Sequence, residues 1–142
     1  MFANKKIVFV GGCFDLFHIG HLNLLQKAKE CGDIVIVGVT ADELVEQQKS
    51  TKPVIPLKER MQIIESLSCV DFVVAQDKLA DVDLLKRLFV DVFISGSDWE
   101  NKKDEPEGYE WIRNNLEMIF LPRTEGISST SIKQELNKRK LL

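Results

Sequence analysis

Apolar positions along this chain fall into two alternating patterns. Short runs at Ile7 to Val10, Ile34 to Thr40, Phe72 to Ala75, Val92 to Ser95 and Met118 to Leu121 are apolar almost throughout, the signature of strands buried on both faces of a sheet. Between them apolar residues recur at helical spacing, as Leu22, Leu25 and Ala28 before Gly32 and as Met61, Ile64 and Leu67 within Leu57 to Leu67. Asp81 to Phe89 and Ser128 to Leu136 read as two more helices, the last with Ser128 or Ser129 placed to cap it. Strands alternating with helices predict the α/β class: a single Rossmann-like domain over residues 1–142, with a parallel sheet of about five strands and helices on both faces. Lys49 to Pro56, with two prolines, and the charged stretch Glu100 to Gly108 read as loops able to gate a site.

Composition narrows the function classes. The 142 residues, 44% hydrophobic and 29% charged, suit one domain with a core and a cleft. A net charge of -3 argues against nucleic acid or a membrane surface as partner, since either calls for a basic face. Cys13, Cys31 and Cys69 lie far apart without paired spacing and read as free thiols. The N-terminus lacks the apolar stretch of a signal peptide, and no run approaches the ~20 apolar residues of a membrane span, so a cytoplasmic protein is expected.

Open parallel sheets bind ligands beyond the carboxyl ends of their strands, which directs attention to the residues after each strand. The first strand runs directly into Gly11-Gly-Cys-Phe-Asp-Leu-Phe-His-Ile-Gly-His21 and then into a helix. Unpaired N–H groups of a first helical turn, the positive end of the helix dipole and a backbone left open by Gly11, Gly12 and Gly20 suit a phosphate. His18 and His21 add two imidazole donors on one side of that turn. A lone histidine more often satisfies backbone in the core, but two beside a glycine turn favour the phosphate reading. A zinc site near Asp15 lacks a third ligand, and a dinucleotide fold lacks G-x-G-x-x-G. Cys13 has no assured base beside it, which argues against a nucleophile. Trp99 and Trp111 read as packing residues with stacking on a ligand as the alternative.

The Gly12 to His21 segment resembles the HxGH signature of the cytidylyltransferase-like nucleotidyltransferases, and Arg123-Thr-Glu-Gly-Ile-Ser-Ser-Thr130 resembles their second signature. Both occur in the family's order, and the resemblance covers nearly the whole chain. The form of the second segment, with Gly96-Ser-Asp-Trp-Glu, is similar to enzymes that use CTP, above all the glycerol-3-phosphate and choline-phosphate cytidylyltransferases. The resemblance implies that His18 and His21 contact the triphosphate, that Cys13 and Phe14 line its pocket, and that Arg123, Thr124, Glu125, Gly126, Ile127, Ser128, Ser129 and Thr130 wrap the nucleotide. His18, His21 and Arg123 are the catalytic candidates, joined by Lys49 from its loop, and Gly12, Gly20, Lys52 and Asp98 complete the expected nucleotide site. Asp15, Lys49 and Arg60 are the candidates for the acceptor. A homodimer is also implied.

Three departures bear on the acceptor. Cys13 stands where the glycerol-3-phosphate enzymes usually carry threonine, and Gly-Cys-Phe-Asp, like Lys52-Pro-Val-Ile-Pro-Leu-Lys-Glu-Arg60-Met, is similar to heptose-phosphate adenylyltransferases. Ser68 replaces a usual arginine, and Ser97 replaces an aspartate. The expected reaction is attack of an acceptor phosphate oxygen on the α-phosphorus of CTP with loss of pyrophosphate. Glycerol 3-phosphate or a similar small phosphorylated acceptor is expected, and positioning and charge neutralisation do the work. An ATP-dependent enzyme acting on a sugar phosphate such as heptose 1-phosphate is the alternative, and a non-catalytic nucleotide sensor a second. Lys49 and Lys52 read either as loop lysines that close over phosphates or as solvated surface charges, and Arg60 either as a ligand residue or as a helix-surface partner of a neighbouring glutamate. Mg²⁺ is expected to arrive with the triphosphate, held mainly by phosphate oxygens and water, with Asp98 as a possible aid and no tightly bound metal.

Overall fold

The computed structural model of the protein describes residues 4–96 and 107–139. Among them are five strands, β1 (Ile7–Gly12), β2 (Ile34–Thr40), β3 (Phe72–Gln76), β4 (Val92–Gly96) and β5 (Glu117–Leu121). The helices are α1 (Ile19–Glu30), α2 (Asp42–Lys49), α3 (Leu57–Glu65), α4 (Val82–Arg87), α5 (Tyr109–Asn115) and α6 (Ser129–Arg139). The strands form one sheet in the order β3-β2-β1-β4-β5, with every neighbouring pair parallel. The chain winds outward from β1 first to one side and then to the other, so the order reverses at β1 and β4, and that is where an open α/β sheet leaves a crevice.

The apolar runs become strands where predicted, each within two residues of the expected ends. They are not all buried on both faces, however. The inner strand β2 is buried throughout, whereas in β3, an edge strand, Phe72 and Ala75 are exposed. One face of the sheet packs Val8, Val10, Val35 and Val37 against Leu25 and Ala28 of α1 and Ile64 of α3. The other packs Ile7, Phe9, Ile36 and Phe93 against Leu85 of α4 and Tyr109 and Ile112 of α5. The α3 helix is shorter than its apolar stripe implied, and Leu67 packs from beyond its end. Asp81 caps α4 by accepting from the Leu84 N–H at 3.2 Å. Of the two serines considered for α6, Ser128 is the cap, its hydroxyl accepting from Ser131 N at 2.9 Å.

Two helices fall outside the sequence reading. The α2 helix buries only Val45 and so shows no apolar stripe; its visible signal is Asp42 and Glu43 in the first turn. Lys49 therefore ends a helix instead of opening a loop, and Ser50, at φ 61°, terminates it. The short α5 helix buries Tyr109 and Ile112, with Trp111 packed beside them.

The amino ends of the strands share one device. Asp33, Asp71 and Asp91 each stand immediately before a strand, and each carboxylate accepts a backbone N–H at the start of the neighbouring strand: Lys6 N, Val35 N and Ile7 N, all at 2.8 Å. These bonds satisfy donors that the ladder leaves unpaired and pin the parallel register. Asp91→Ala is expected to cost about 1.5–3 kcal/mol, the range for a hydrogen bond to a charged group, read as a lower urea midpoint with unchanged slope.

Candidate active site

At the carboxyl ends of the strands the backbone opens into a cavity of about 370 Å³, lined by Gly11, Gly12 and Cys13 after β1, Thr40 after β2, Gln76 at the end of β3 and Ser95 and Gly96 of β4. Gln48 and Lys49 of α2, Tyr109 of α5 and Arg123 complete the wall. A larger groove, about 700 Å³, lies at the opposite ends of the strands, lined mainly by Ile7, Ile36, Phe72, Val74, Leu88 and Phe89. Lys5, Arg87 and Asp91 border that groove, but it lies away from the glycine turn, the histidines and the carboxyl ends of the strands, so the smaller cavity is the candidate site.

The two histidines stand at the start of α1 and cap it reciprocally. His18 is the N-cap, and its Nδ1 accepts the Gly20 N–H at 3.1 Å, while Nδ1 of His21 accepts the His18 N–H at 3.3 Å. A ring whose Nδ1 is an acceptor carries its proton on Nε2, so both imidazoles are fixed as Nε2–H donors. The rings stack with centroids 3.8 Å apart and planes 23° apart. The cap thus orients the pair instead of merely ending a helix. Burial lowers the His18 pKa. The His21 pKa is lowered to about 4, first by burial and then by the His18 and Lys49 charges, against the opposing pull of Asp15. Both are neutral donors at physiological pH. Neither lines the cavity, but Lys49, which does, acts electrostatically on His21.

Glycines make this loop possible by clearance. A Cβ on Gly20 would lie 2.9 Å from Cε1 of His18 and 3.3 Å from Cγ2 of Ile127. A side chain at residue 20 would therefore push the His18 ring off its cap. Phe14 and Leu16, by contrast, adopt left-handed backbone at φ 55° and 50° without being glycine, a strain of the kind that concentrates at functional turns. Phe14 is buried beneath the histidines, its ring edge-on to His21 at 5.3 Å. It supports the imidazole where the resemblance implied that it lines the nucleotide pocket.

Two candidates for the acceptor prove to be internal. Asp15 is 5% exposed, and its carboxylate accepts from Val54 N at 2.8 Å, Ile55 N at 2.9 Å and Leu16 N at 3.1 Å. Arg60 is 1% exposed, which also excludes the surface pairing considered for it. Its guanidinium donates to the carbonyls of Ile55, Cys13 and Thr40 at 2.7–2.8 Å and to the Asp42 carboxylate. These two residues cannot also grip a substrate phosphate without abandoning those partners. They hold the loops that follow β1 and β2, together with the turn before α3, in one arrangement.

The second signature docks against the first. Asn23 Nδ2 donates to Thr124 Oγ1 at 3.1 Å, Ile127 abuts Gly20, and the Ser129 hydroxyl donates to the Asp15 carbonyl at 2.5 Å. Gly126 turns at φ 82°. Of the remaining expected residues, Lys52, Glu125 and Thr130 are exposed and do not line the cavity, and Ser128 is occupied in capping α6. Asp98, with Ser97 and Trp99, lies outside the described residues. Trp111 packs in the second core, with Lys86 5.1 Å from its ring centroid, so packing is its role. Cys13, Cys31 and Cys69 are free thiols. Sequence reasoning passed over Thr40, Gln48, Gln76, Ser95 and Tyr109; the rule that ligands sit at strand ends would have reached Thr40, Gln76 and Ser95.

The fold and this site define a nucleotidyltransferase. Residues 9–135 match the cytidylyltransferase-like family model, and the chain belongs to that family. It is 39% identical over 132 residues to the glycerol-3-phosphate cytidylyltransferase of Staphylococcus aureus, covering 92% of this chain and 95% of that protein. It is 40% identical over 135 residues to the bifunctional protein HldE of Helicobacter pylori, covering 94% of this chain but only 28% of that protein's length. In fold it is similar to the lipopolysaccharide core biosynthesis protein of Thermoplasma volcanium, with a TM-score of 0.71, 22% identity, and coverage of 85% of this chain and 99% of that one.

Two outcomes test this geometry. Arg60→Met should lower stability by ~3–5 kcal/mol in urea unfolding, because it strands three carbonyls and a carboxylate around an apolar side chain. For His21, the folded pKa of about 4 lies below the ordinary 6.5, so between those values the unfolded chain binds a proton that the folded chain refuses. The resulting stability is complete above pH 6.5 and is lost as pH falls toward 4. His21→Gln should flatten that part of the stability–pH curve, whereas an unchanged slope would mean the ring is not held neutral.

Proposed function

We propose that the chain transfers CMP from CTP to a small phosphorylated acceptor, glycerol 3-phosphate or a close analogue, releasing pyrophosphate. The observation that carries this is the near end-to-end match to the glycerol-3-phosphate cytidylyltransferase, 92% of one chain and 95% of the other. The geometry supports the chemistry. In this reading the Nε2–H groups of His18 and His21, with Lys49 and Arg123, act as donors for charge developing on the α-phosphoryl group and the leaving oxygen, each worth about 3 kcal/mol if it acts as an oxyanion-type donor does; the support is that both rings keep Nε2 free of the cap and that Lys49 and Arg123 line the cavity. Gly12 and Cys13 line the cavity where the triphosphate would lie, and the segment from Thr124 to Ser129, docked against α1 and the β1–α1 turn, would border the nucleotide. Mg²⁺ would neutralise the triphosphate. No carboxylate lines the cavity among the described residues, which fits an ion held by phosphate oxygens and water.

The reading includes a homodimer, for which the support is the pair of exposed rings Phe72 and Phe89, the latter 79% exposed, beside the apolar groove. It places the protein in the cytoplasm, in keeping with three free thiols. Among the described residues no helix is long and apolar enough to cross a membrane. A second reading, an adenylyltransferase using ATP and a sugar phosphate such as heptose 1-phosphate, is favoured by Cys13, which lines the cavity in place of the threonine usual in the CTP enzymes.

Pyrophosphate release with Mg²⁺, crossing CTP and ATP against glycerol 3-phosphate, phosphocholine, phosphoethanolamine and heptose 1-phosphate, should show turnover with CTP. His18→Ala and His21→Ala should each reduce it at least a hundredfold, about 2.7 kcal/mol. Turnover with ATP alone would replace the first reading by the second. Variants within tenfold of the wild type would remove the histidines from the mechanism, and silence with every pair would leave a nucleotide sensor.

A further inference from the structure

The side chain of Gln76 closes the floor of the cavity and has an acceptor to spare. It is 3% exposed, and its Oε1 has no hydrogen-bond partner among the described residues. Buried carbonyl oxygens are almost always paired, and leaving one unpaired in a site is a cost that binding can recover. The register pairs Thr40 with Gln76 and Gly11 with Gly38, so the carboxamide crosses the sheet over two glycines. Neither glycine could carry a side chain there. A Cβ on Gly11 would lie 2.7 Å from Oε1, and one on Gly38 would lie 2.5 Å from Phe9 Cζ and 3.1 Å from Oε1.

The sheet topology decides which substrate meets this oxygen. The strand order reverses between β1 and β4, and a nucleotide takes that crevice. Gln76 ends β3, two strands away on the opposite side of β1, where Thr40, Gln48 and Lys49 complete the wall. That half of the cavity is left for the acceptor. On this side the cation is Lys49, and among the described residues the cavity as a whole is lined by no carboxylate. It therefore provides for a phosphate and offers no counter-charge to a cationic head group.

We propose that Gln76 is the residue that selects the acceptor, its carboxamide turning from its enclosed place over Gly11 and Gly38 so that Oε1 receives a hydrogen bond from a hydroxyl of a polyhydroxylated phosphate ester, and that the site discriminates against phosphate esters of choline, which have no N–H or O–H donor to offer. A neutral amide oxygen matches a neutral hydroxyl, and a site built to hydrogen-bond a hydroxyl rejects the analogue that lacks it. This rests on the transferase reading for the direction of the chemistry but not for the contact itself.

The test is therefore binding as well as turnover. With a non-hydrolysable CTP analogue bound, calorimetric titration of the wild type with glycerol 3-phosphate and with phosphocholine should show at least a tenfold preference for the former. Gln76→Met should weaken glycerol 3-phosphate about tenfold, equivalent to ~1.4 kcal/mol, with affinity for the CTP analogue and the melting temperature little changed. Gln76→Glu keeps the length and supplies a carboxylate, so it should shift preference toward phosphoethanolamine, and it serves if the methionine variant does not fold. Equal binding of the two esters by the wild type, no binding of either, or glycerol 3-phosphate affinity untouched in both variants would overturn the assignment. Selective binding without turnover would leave the assignment standing and remove the transferase reading instead.

Discussion

The Arg60 guanidinium is the constraint on which the site depends. A charge with 1% exposure survives only if every donor is satisfied. Here the acceptors are the carbonyls that end β1 and β2, the carbonyl that precedes α3, and the Asp42 carboxylate. The requirement works in both directions. The segments leaving β1 and β2 and the turn between α2 and α3 each present a carbonyl, and one cation gathers them. Asp15 does the complementary work from the other side of the same turn, collecting the N–H groups of Val54 and Ile55. A cation binding carbonyls and an anion binding amides thus clamp one stretch of chain between them.

That clamp explains how a strained loop can hold a neutral imidazole pair. Phe14 and Leu16 lie on either side of Asp15, both with positive φ, and the bonds on Asp15 supply what the backbone conformation costs. Above them His18 and His21 use one nitrogen each to cap α1 and keep the other as a donor. A capping serine would satisfy the same amides but would leave no second donor in a fixed direction. The choice of histidine as cap is therefore where a helix start becomes a site.

The architecture was legible in the sequence because the strands of a parallel sheet are nearly continuous apolar runs, and five of them with intervening periodic segments leave few alternatives. The α2 helix escaped because only Val45 is buried, so its periodicity is nearly all polar. The histidine turn was legible through its glycines and its position after β1. The roles of Asp15 and Arg60 were not, because a charged residue in a sequence carries no sign of whether it faces substrate or backbone. Only the fold shows that Arg60 sits among carbonyls. Gln76 was invisible for a related reason: a single glutamine at the end of an apolar run has no local signature, and its place across two glycines depends on the register of three strands.

The aspartates at the amino ends of the strands have a consequence for how the chain finds its fold. The bond from Lys6 to Asp33 spans 27 residues and that from Val35 to Asp71 spans 36, whereas the bond from Ile7 to Asp91 spans 84. Loop-closure entropy grows with the logarithm of length, so the longest of these closures costs about 1 kcal/mol more than the shortest. The half-sheet of β1, β2 and β3 is thus the cheaper nucleus, and β4 and β5 add to a β1 edge that is already aligned. Thr40 and Gln76 belong to the half-sheet of shorter closures, and Ser95 and Gly96 to the half that joins it through the long one.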